Sequence, residues 1–261
     1  METILKSAKT SVVVAPGKPT VLIGERINPT GKKSLAKALM EGDLSIVKRE
    51  AEEQVAAGAD ILDVNVGAAG VDEVALLPQA VKLVMETVDV PVCIDSADVE
   101  ALEAALQVHR ELAPEGKPLI NSVNGEEERL EAVLPLVAEY GAAVIGLAMD
   151  DEGIPKTPEQ RLGVAEKIVE RAAAYGIGRE DLLIDCLALT VGADSQAGRV
   201  TMEAIALVRQ ELGLNQTLGA SNASFGLPER EMINWVFLGM CIQNGLNCPI
   251  VDVEKVRPAV L

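Results

Sequence analysis

Several short apolar runs in this chain close on a residue that trades hydrogen bonds. Ile61-Leu62 ends in Asp63, Val92-Cys93-Ile94 in Asp95 and Leu183-Ile184 in Asp185. Leu119-Ile120 ends in Asn121, and Leu218-Gly219-Ala220 leads into Ser221 and Asn222. A carboxylate accepts two parallel N–H bonds, and a carboxamide supplies both a donor and an acceptor. A ring of such groups suits a flat heterocycle with an aminopyrimidine-like edge. Any one of them could instead cap a helix or open a turn. Recurrence at the same place in separate runs makes Asp95, Asn121, Asp185 and Asn222 a candidate set.

The runs themselves read as buried parallel strands whose C-terminal ends converge. Strands are expected at Val21–Gly24, Asp60–Val66, Pro91–Asp95, Pro118–Ser122, Ala143–Met149, Leu182–Cys186, Thr217–Ser221 and Pro249–Val253. Helical patterns fill the intervals: Lys33–Met40, Leu44–Ala57, Glu73–Thr87, Val99–Glu111, a stretch opening at Glu126-Glu127-Glu128, one from Pro158, Thr201–Glu211 and Glu229–Asn244. Gly58 suits a helix C-cap, and Thr157 before Pro158 an N-cap. Eight strands alternating with helices predict an α/β fold, a (βα)8 TIM barrel whose active site lies at the C-terminal rim. An open doubly wound sheet is the rival; it usually carries GxGxxG after its first strand, where this chain has Gly24-Glu25-Arg26. Residues 1–19 form an N-terminal extension, with Val12-Val13-Val14 a short strand over the barrel bottom. Residues 20–261 form the barrel. Little chain follows Val253, so the closing helix is expected to be short or absent.

Composition narrows the function. The chain is 49% hydrophobic and 2% aromatic, so the core must be built from Val, Leu, Ile and Ala. Lys plus Arg number 23 against 40 Asp plus Glu, a net charge of −17 that repels nucleic acid and anionic membrane. Cys93, Cys186, Cys241 and Cys248 have neither disulfide-framework nor zinc spacing. Met1–Thr10 lacks an apolar signal core and no run approaches a membrane span, so a reduced cytoplasmic protein is expected.

Other residues carry weaker signals. His109 is the single histidine; it lies on a helix away from any rim and is expected at the surface, which argues against a Ser-His-Asp triad or His-ligated zinc. Asp63 and Asn65 could line the rim, or Asn65 could start the Gly67 turn. Glu25 and Asn28 follow the first strand, facing a ligand or simply solvent. Ile250 on the last strand joins these candidates. Asp150-Asp151-Glu152 is read as solvated charge on a loop. Arg230, just inside a helix N-terminus, is unfavourable for the helix dipole and therefore a candidate for function.

Taken in order, Gly24-Glu25-Arg26-Ile27-Asn28, Asp63-Val64-Asn65-Val66-Gly67, Cys93-Ile94-Asp95-Ser96, Ile120-Asn121-Ser122-Val123-Asn124, Gly146-Leu147-Ala148-Met149 and Gly219-Ala220-Ser221-Asn222-Ala223-Ser224 resemble the pterin-binding methyltransferases. These include methyltetrahydrofolate:corrinoid protein methyltransferases and the folate domain of cobalamin-dependent methionine synthase. Dihydropteroate synthase is a more distant member of the fold group. The resemblance implies tetrahydrofolate or methyltetrahydrofolate at the rim, a corrinoid brought by a partner protein, no metal held by this chain, and a homodimer. Asp95, Asn121 and Asp185 would bind the pyrimidine edge and ring N–H groups. Gly219 and Ser221 would line the pocket, Asn222 would stand at N5 as the catalytic group, and Arg230 would touch the folate. Glu25 and Asn28 fall near the methyl. Phe225 after Ser224 is the detail that resembles methionine synthase more. Neither a cobalamin-binding domain nor zinc cysteines for homocysteine are evident, so a free-standing methyltransferase component is expected, with the direction of transfer open. The alternatives are a dihydropteroate synthase-like condensing enzyme and a non-catalytic pterin-binding subunit. Against the former, Asn28-Pro29-Thr30-Gly31 stands where that activity carries a different run.

Overall fold

The computed structural model describes residues 1–261. Eight parallel strands curl into a barrel with helices between them. They are β3 (Ile23–Ile27), β4 (Ile61–Val64), β5 (Val92–Asp95), β6 (Leu119–Asn124), β7 (Ala143–Leu147), β8 (Leu182–Asp185), β9 (Asn215–Thr217) and β10 (Ile250–Val251), paired in the order β10-β3-β4-β5-β6-β7-β8-β9. Closure runs from β10 to the chain just after β9. The N–H of Ile250 donates to the Leu218 carbonyl and that of Cys248 to Gln216, both at 3.0 Å.

Strand periodicity explains what sits where. Side chains alternate between faces every residue. Ile61, Cys93, Leu119 and Leu183 are fully buried inside the barrel, and Leu62, Ile94, Ile120 and Ile184 point outward into the packing with the helices. The next inward position on each strand is therefore Asp63, Asp95, Asn121 and Asp185. One apolar layer thus forms a floor and the following layer is polar. Strand stagger sets the depth: Asp95 lies level with Asn121, whereas Asp63 pairs with Cys93 of the floor.

An antiparallel hairpin, β1 (Thr3–Lys6) with β2 (Ser11–Val14), plugs the opposite end. Leu5 and Val14 join the interior apolar cluster and are fully buried. Asn215 Nδ2 ties the plug down, donating to Thr3 Oγ1 (2.9 Å) and the Val14 carbonyl (2.8 Å). The expected covering strand is thus the second arm of a hairpin. Its first arm, in mixed sequence, gave no periodic signal.

Helices α1 (Lys33–Met40), α2 (Ser45–Ala57), α3 (Glu73–Thr87), α4 (Val99–Leu112), α5 (Glu127–Tyr140), α6 (Pro158–Ala174), α7 (Ala197–Leu207), α8 (Arg230–Asn244) and α9 (Val253–Val260) complete the fold. Gly58 ends α2 with φ +99°, and Thr157 and Gln160 form a reciprocal capping box before α6. No helix is long and apolar enough to cross a membrane.

Among the boundaries that differ from the expectations, four bear on the rim and its supports. β3 runs through Glu25, so that residue is in a strand and not in a loop. β9 ends at Thr217, and Ser221 and Asn222 sit on the 3-10 turn Ala220–Ser224, where Ser and Asn compete for the backbone. α7 starts earlier than expected, at Ala197, and passes into a π turn at Val208–Leu212. Val253 opens α9 instead of ending a strand, with Asp252 the last extended residue, at the helix N-cap.

His109 is not at the surface. It is 3% exposed and extends the inward stripe Ala101, Leu102, Ala105 and Leu106 of α4. The loop after α4 folds over it, held by the antiparallel pairing of Lys117 with Lys6 of the plug. Its Nε2 has no partner, and burial drives its pKa down from 6.5 to about 4. A His held neutral in the folded state loses stability as pH falls through 6.5, where the unfolded chain protonates, and this loss is complete near 4. Replacing His109 with Leu should therefore raise relative stability progressively on acidification, by about 3 kcal/mol in total. Urea titrations of both proteins at stepped pH measure the difference; a gap independent of pH would exclude this role.

Candidate active site

One half of the rim is built by β4, β5 and β6. Asn65 Nδ2 donates to Asp95 Oδ2 at 2.9 Å, and Asn121 Nδ2 to Asp63 Oδ1 at 3.2 Å. Asn65 Oδ1 also accepts from the Gly67 N–H at 2.8 Å, so its side chain both orients the acid and shapes the turn. Asp63 is 2% exposed, and desolvation followed by the nearby Asp95 charge holds its carboxyl well above the ordinary range. Desolvation also lifts Asp95 to about 6; the Asn65 hydrogen bond pulls the other way, Glu73 adds to the rise, and Arg129 opposes it. Asp95, Ser96, Asn121, Ser122, Asn124 and Arg129 line a cleft of about 320 Å³.

The other half comes from β8, the segment after β9, and β3. Asp185 accepts from the N–H of Leu187 (2.6 Å) and that of Gly219 (3.4 Å), one on each oxygen. Burial still lifts it to about 6 against those two bonds. Ser221 Oγ donates to Glu25 Oε1 at 3.1 Å, and Arg230 reaches back to the Ser221 carbonyl and Ser224 Oγ, both at 3.0 Å. Burial raises the Glu25 carboxyl as well. Asn222 is exposed at the mouth, and a Cβ on Gly219 would stand 3.3 Å from its Nδ2, so a side chain there would crowd the amide. Ile250 pairs beside Gly219 and packs on the floor cluster. Glu25, Ser221, Arg230, Asn234, Asp252 and Lys255 share a cleft of about 390 Å³.

The structure thus gathers Asp63, Asn65, Asp95 and Asn121 on one side, and Glu25, Asp185, Gly219, Ser221, Asn222, Arg230 and Ile250 on the other. Asn28 stands apart from these bonds: its Oδ1 accepts from the Thr30 N–H at 2.9 Å, closing a turn. Asp150 does the same for the Glu152 N–H at 3.0 Å, while Asp151 and Glu152 are exposed. A larger cleft, about 570 Å³ between that loop and α6, holds none of the rim groups. Chemistry, not volume, marks the site. The four cysteines are free and buried, and burial raises all four thiols.

Two arginines escaped the sequence reading. Arg129 donates to the carbonyls of Ser122 (2.9 Å), Ala97 (2.7 Å) and Ser96 (3.0 Å). Arg161, 1% exposed, donates to those of Pro155 (3.0 Å), Cys186 (2.6 Å) and Leu187 (2.8 Å), and approaches Thr201 Oγ1 at 3.2 Å. Both lie in the first turn or so of α5 and α6. The dipole argument that flagged Arg230 applies equally to them.

The mouth therefore presents hydrogen-bond acceptors set in low dielectric, with carboxyls that titrate near neutrality. Such a site takes a planar donor edge into carboxylates and holds protons close to a reacting atom. It also carries a penalty. An acid whose folded pKa is raised contributes most below its unfolded value and destabilises as pH rises through the folded one. Asp95→Asn keeps the Asn65 bond and removes the charge, so it should stabilise the fold by about 3 kcal/mol near pH 8, and by progressively less as pH falls through 6 towards 4. Urea midpoints across that range decide it; destabilisation at high pH would contradict the desolvation account.

Comparisons with known proteins agree with this chemistry. A family model described as pterin binding enzyme matches residues 24–252. The methionine synthase of Mycobacterium leprae is 33% identical over 270 residues, covering 98% of this chain; the chain spans 22% of that relative's length. The methylcorrinoid:tetrahydrofolate methyltransferase of Eubacterium limosum is 30% identical over 241 residues, covering 89% of this chain and 84% of the relative. Among solved structures, dihydropteroate synthase from Yersinia pestis superposes with a TM-score of 0.71 at 16% identity, covering 100% of this chain and 96% of that one. The dihydropteroate synthase of Thermus thermophilus gives 0.69 at 21%, covering 98% and 97%. At such identities the likeness shows the shared barrel. From the matched residues and these relatives, the chain belongs to the family of pterin-binding enzymes, and its matches at 30% identity and above include methyltransferases.

Proposed function

We propose that this enzyme moves a methyl group between N5 of tetrahydrofolate and the cobalt of a corrinoid carried by a partner protein. The observation that carries the reading is the exposed Asn222 amide beside Gly219, whose N–H donates to the desolvated Asp185, on a rim that carries a second desolvated carboxyl, Asp95, on its other side. The Eubacterium limosum relative, matched over most of its length, supports it. Asp95, Asn121 and Asp185 accept the N–H donors of the pyrimidine edge and ring. Gly219, Ser221 and Ile250 wall the pocket, Arg230 meets the folate, and Glu25 lies near the methyl. Asp63 and Asn65 hold Asn121 and Asp95.

The chemistry matches those groups. Methyl leaving N5 for reduced cobalt needs positive character on that nitrogen, because a tertiary amine is a poor leaving group without it. In reverse, N5 attacks a cobalt-bound methyl and then sheds a proton. In both directions charge on N5 changes in the transition state, and an oriented amide dipole stabilises it without reorganisation. Neighbouring carboxyls that titrate near 6 can take up or release the proton. The proposal includes a homodimer, a cytoplasmic location, no metal held by this chain, and no nucleic-acid or membrane partner.

The test is single turnover of tetrahydrofolate with methylcobalamin, following the corrinoid spectrum and identifying the folate product. Demethylation with formation of methyltetrahydrofolate supports the reading; condensation of a pterin pyrophosphate with 4-aminobenzoate would replace it with the dihydropteroate synthase alternative. Asn222→Ala should lower turnover on the order of 100-fold with little change in folate affinity. Asp185→Ala should weaken folate binding roughly 10- to 100-fold, the worth of a charged hydrogen bond. Pterin affinity should fall with acidity through about pH 6, since protonated Asp95 and Asp185 no longer accept both donors. Affinity that stays flat from pH 7.5 to 5 would exclude these two acids as ligands.

A further inference from the structure

We infer that Arg129 and Arg161 are positioning residues for the pterin ligands, each fixing the place of a rim acid through the carbonyls that follow it. The inference rests on the pterin reading of the site. Ser96 and Ala97 directly follow Asp95, and Ser122 directly follows Asn121. One guanidinium on α5 takes all three carbonyls, at 2.7–3.0 Å, and so locks the ends of β5 and β6 to each other. Asp95 and Asn121 are level neighbours on those strands, so their separation is set by that clamp.

Arg161 repeats the device on the far side of the mouth. Cys186 and Leu187 directly follow Asp185, and both their carbonyls fall on Nη1 at 2.6 and 2.8 Å. Nε holds Pro155 of the preceding loop at 3.0 Å. Thr201 Oγ1 adds a second hold on the Leu187 carbonyl at 2.9 Å. Leu187 has φ +62°, a left-handed conformation that a branched side chain resists. The Leu187 N–H, set by the peptide before it, donates to Asp185 Oδ1 at 2.6 Å, and the left-handed φ directs the Leu187 carbonyl that Arg161 and Thr201 hold. Arg161 thereby maintains the strained turn that orients the acid.

Both contacts need an arginine. A planar fork with five fixed donors spans three carbonyls from two segments, whereas a lysine is a single flexible point. Both guanidiniums give these N–H groups to carbonyls in a chain with 40 acidic side chains, and their charge still faces Asp95 and Asp185. Neither arginine needs to touch substrate.

The experiment uses Arg129→Lys, Arg129→Met and Arg161→Lys in the full chain, with two readouts. Amide hydrogen exchange of the ligand-free proteins should show faster exchange confined to 95–97 and 121–124 for the Arg129 variants, and to 185–188 for Arg161→Lys. Titration with tetrahydrofolate should show binding at least tenfold weaker, with KM rising and kcat at saturation nearly kept. In a further variant, Arg129→Gly, millimolar guanidinium should restore binding, whereas it should not do so in Arg129→Lys. Unchanged exchange in these segments, or unchanged folate affinity, would overturn the positioning role; a purely structural role would lower the melting temperature and leave affinity alone. Should Arg161→Lys fail to fold, the Arg129 pair decides the question. Loss of folate binding by the wild-type protein itself would instead sink the pterin reading, and exchange would still report whether the clamps exist.

Discussion

Desolvation of carboxyl groups at the barrel mouth is the constraint that the rest of the structure answers. Asp63, Asp95 and Asp185 all lie where burial disfavours the charged form. An unpaired charge in such a place is not tolerated; it must be neutralised, paired or hydrogen-bonded. Each acid here receives donors from its own neighbourhood: Asn121 for Asp63, Asn65 for Asp95, and two backbone N–H groups for Asp185. Those donors only partly offset the cost, which is why the acids stay high. The shortfall leaves acceptor capacity open to a ligand with N–H groups, and binding completes what folding leaves unfinished.

That arrangement follows from the alternation of a strand. The interior floor of Ile61, Cys93, Leu119 and Leu183 makes the next inward residue the first one facing the mouth. Below the floor, Leu5 and Val14 of the hairpin fill the space that would otherwise admit water. A dry floor lowers the dielectric under the acids, so the plug at one end contributes to the electrostatics at the other. Apolar packing and acid chemistry are two layers of a single periodic pattern.

The legible part of the molecule was this pattern. Asp95, Asn121 and Asp185 closed apolar runs and lie where those runs placed them. What stayed hidden depended on contacts between distant segments. Glu25 looked like a loop residue because Glu-Arg in a strand is unusual, yet β10 and β4 pair on either side of it. His109 was given to the surface because it lies on a helix away from the rim, although its spacing from Ala101 and Ala105 continued the buried stripe of α4. Asn28 was open between a ligand and a loop, and its Oδ1 accepts from the Thr30 N–H in a turn. Arg129 and Arg161 carried a local signal, an arginine where the helix dipole disfavours it, but four of their six carbonyl partners lie on a neighbouring βα unit. Periodicity within a segment is visible in one sequence; a hydrogen bond across two loops is not.

The two halves of the mouth differ in a way that suits a transfer reaction. On the β4–β6 side the acids are held by side-chain amides, so their geometry is set by rotamers locked in a network. On the β8–β9 side Asp185 is held by backbone, and Asn222 rides on a short 3-10 turn next to a glycine. One side is thus a network of recessed side chains, and the other adds an exposed amide above a backbone-held acid. A partner bearing the other reactant needs access on one side only. With Asn222 exposed and Asp95 recessed beside Asn121, the proposed reaction leaves a partner free to approach over the Ser221–Ser224 turn without disturbing Asp95 and Asn121.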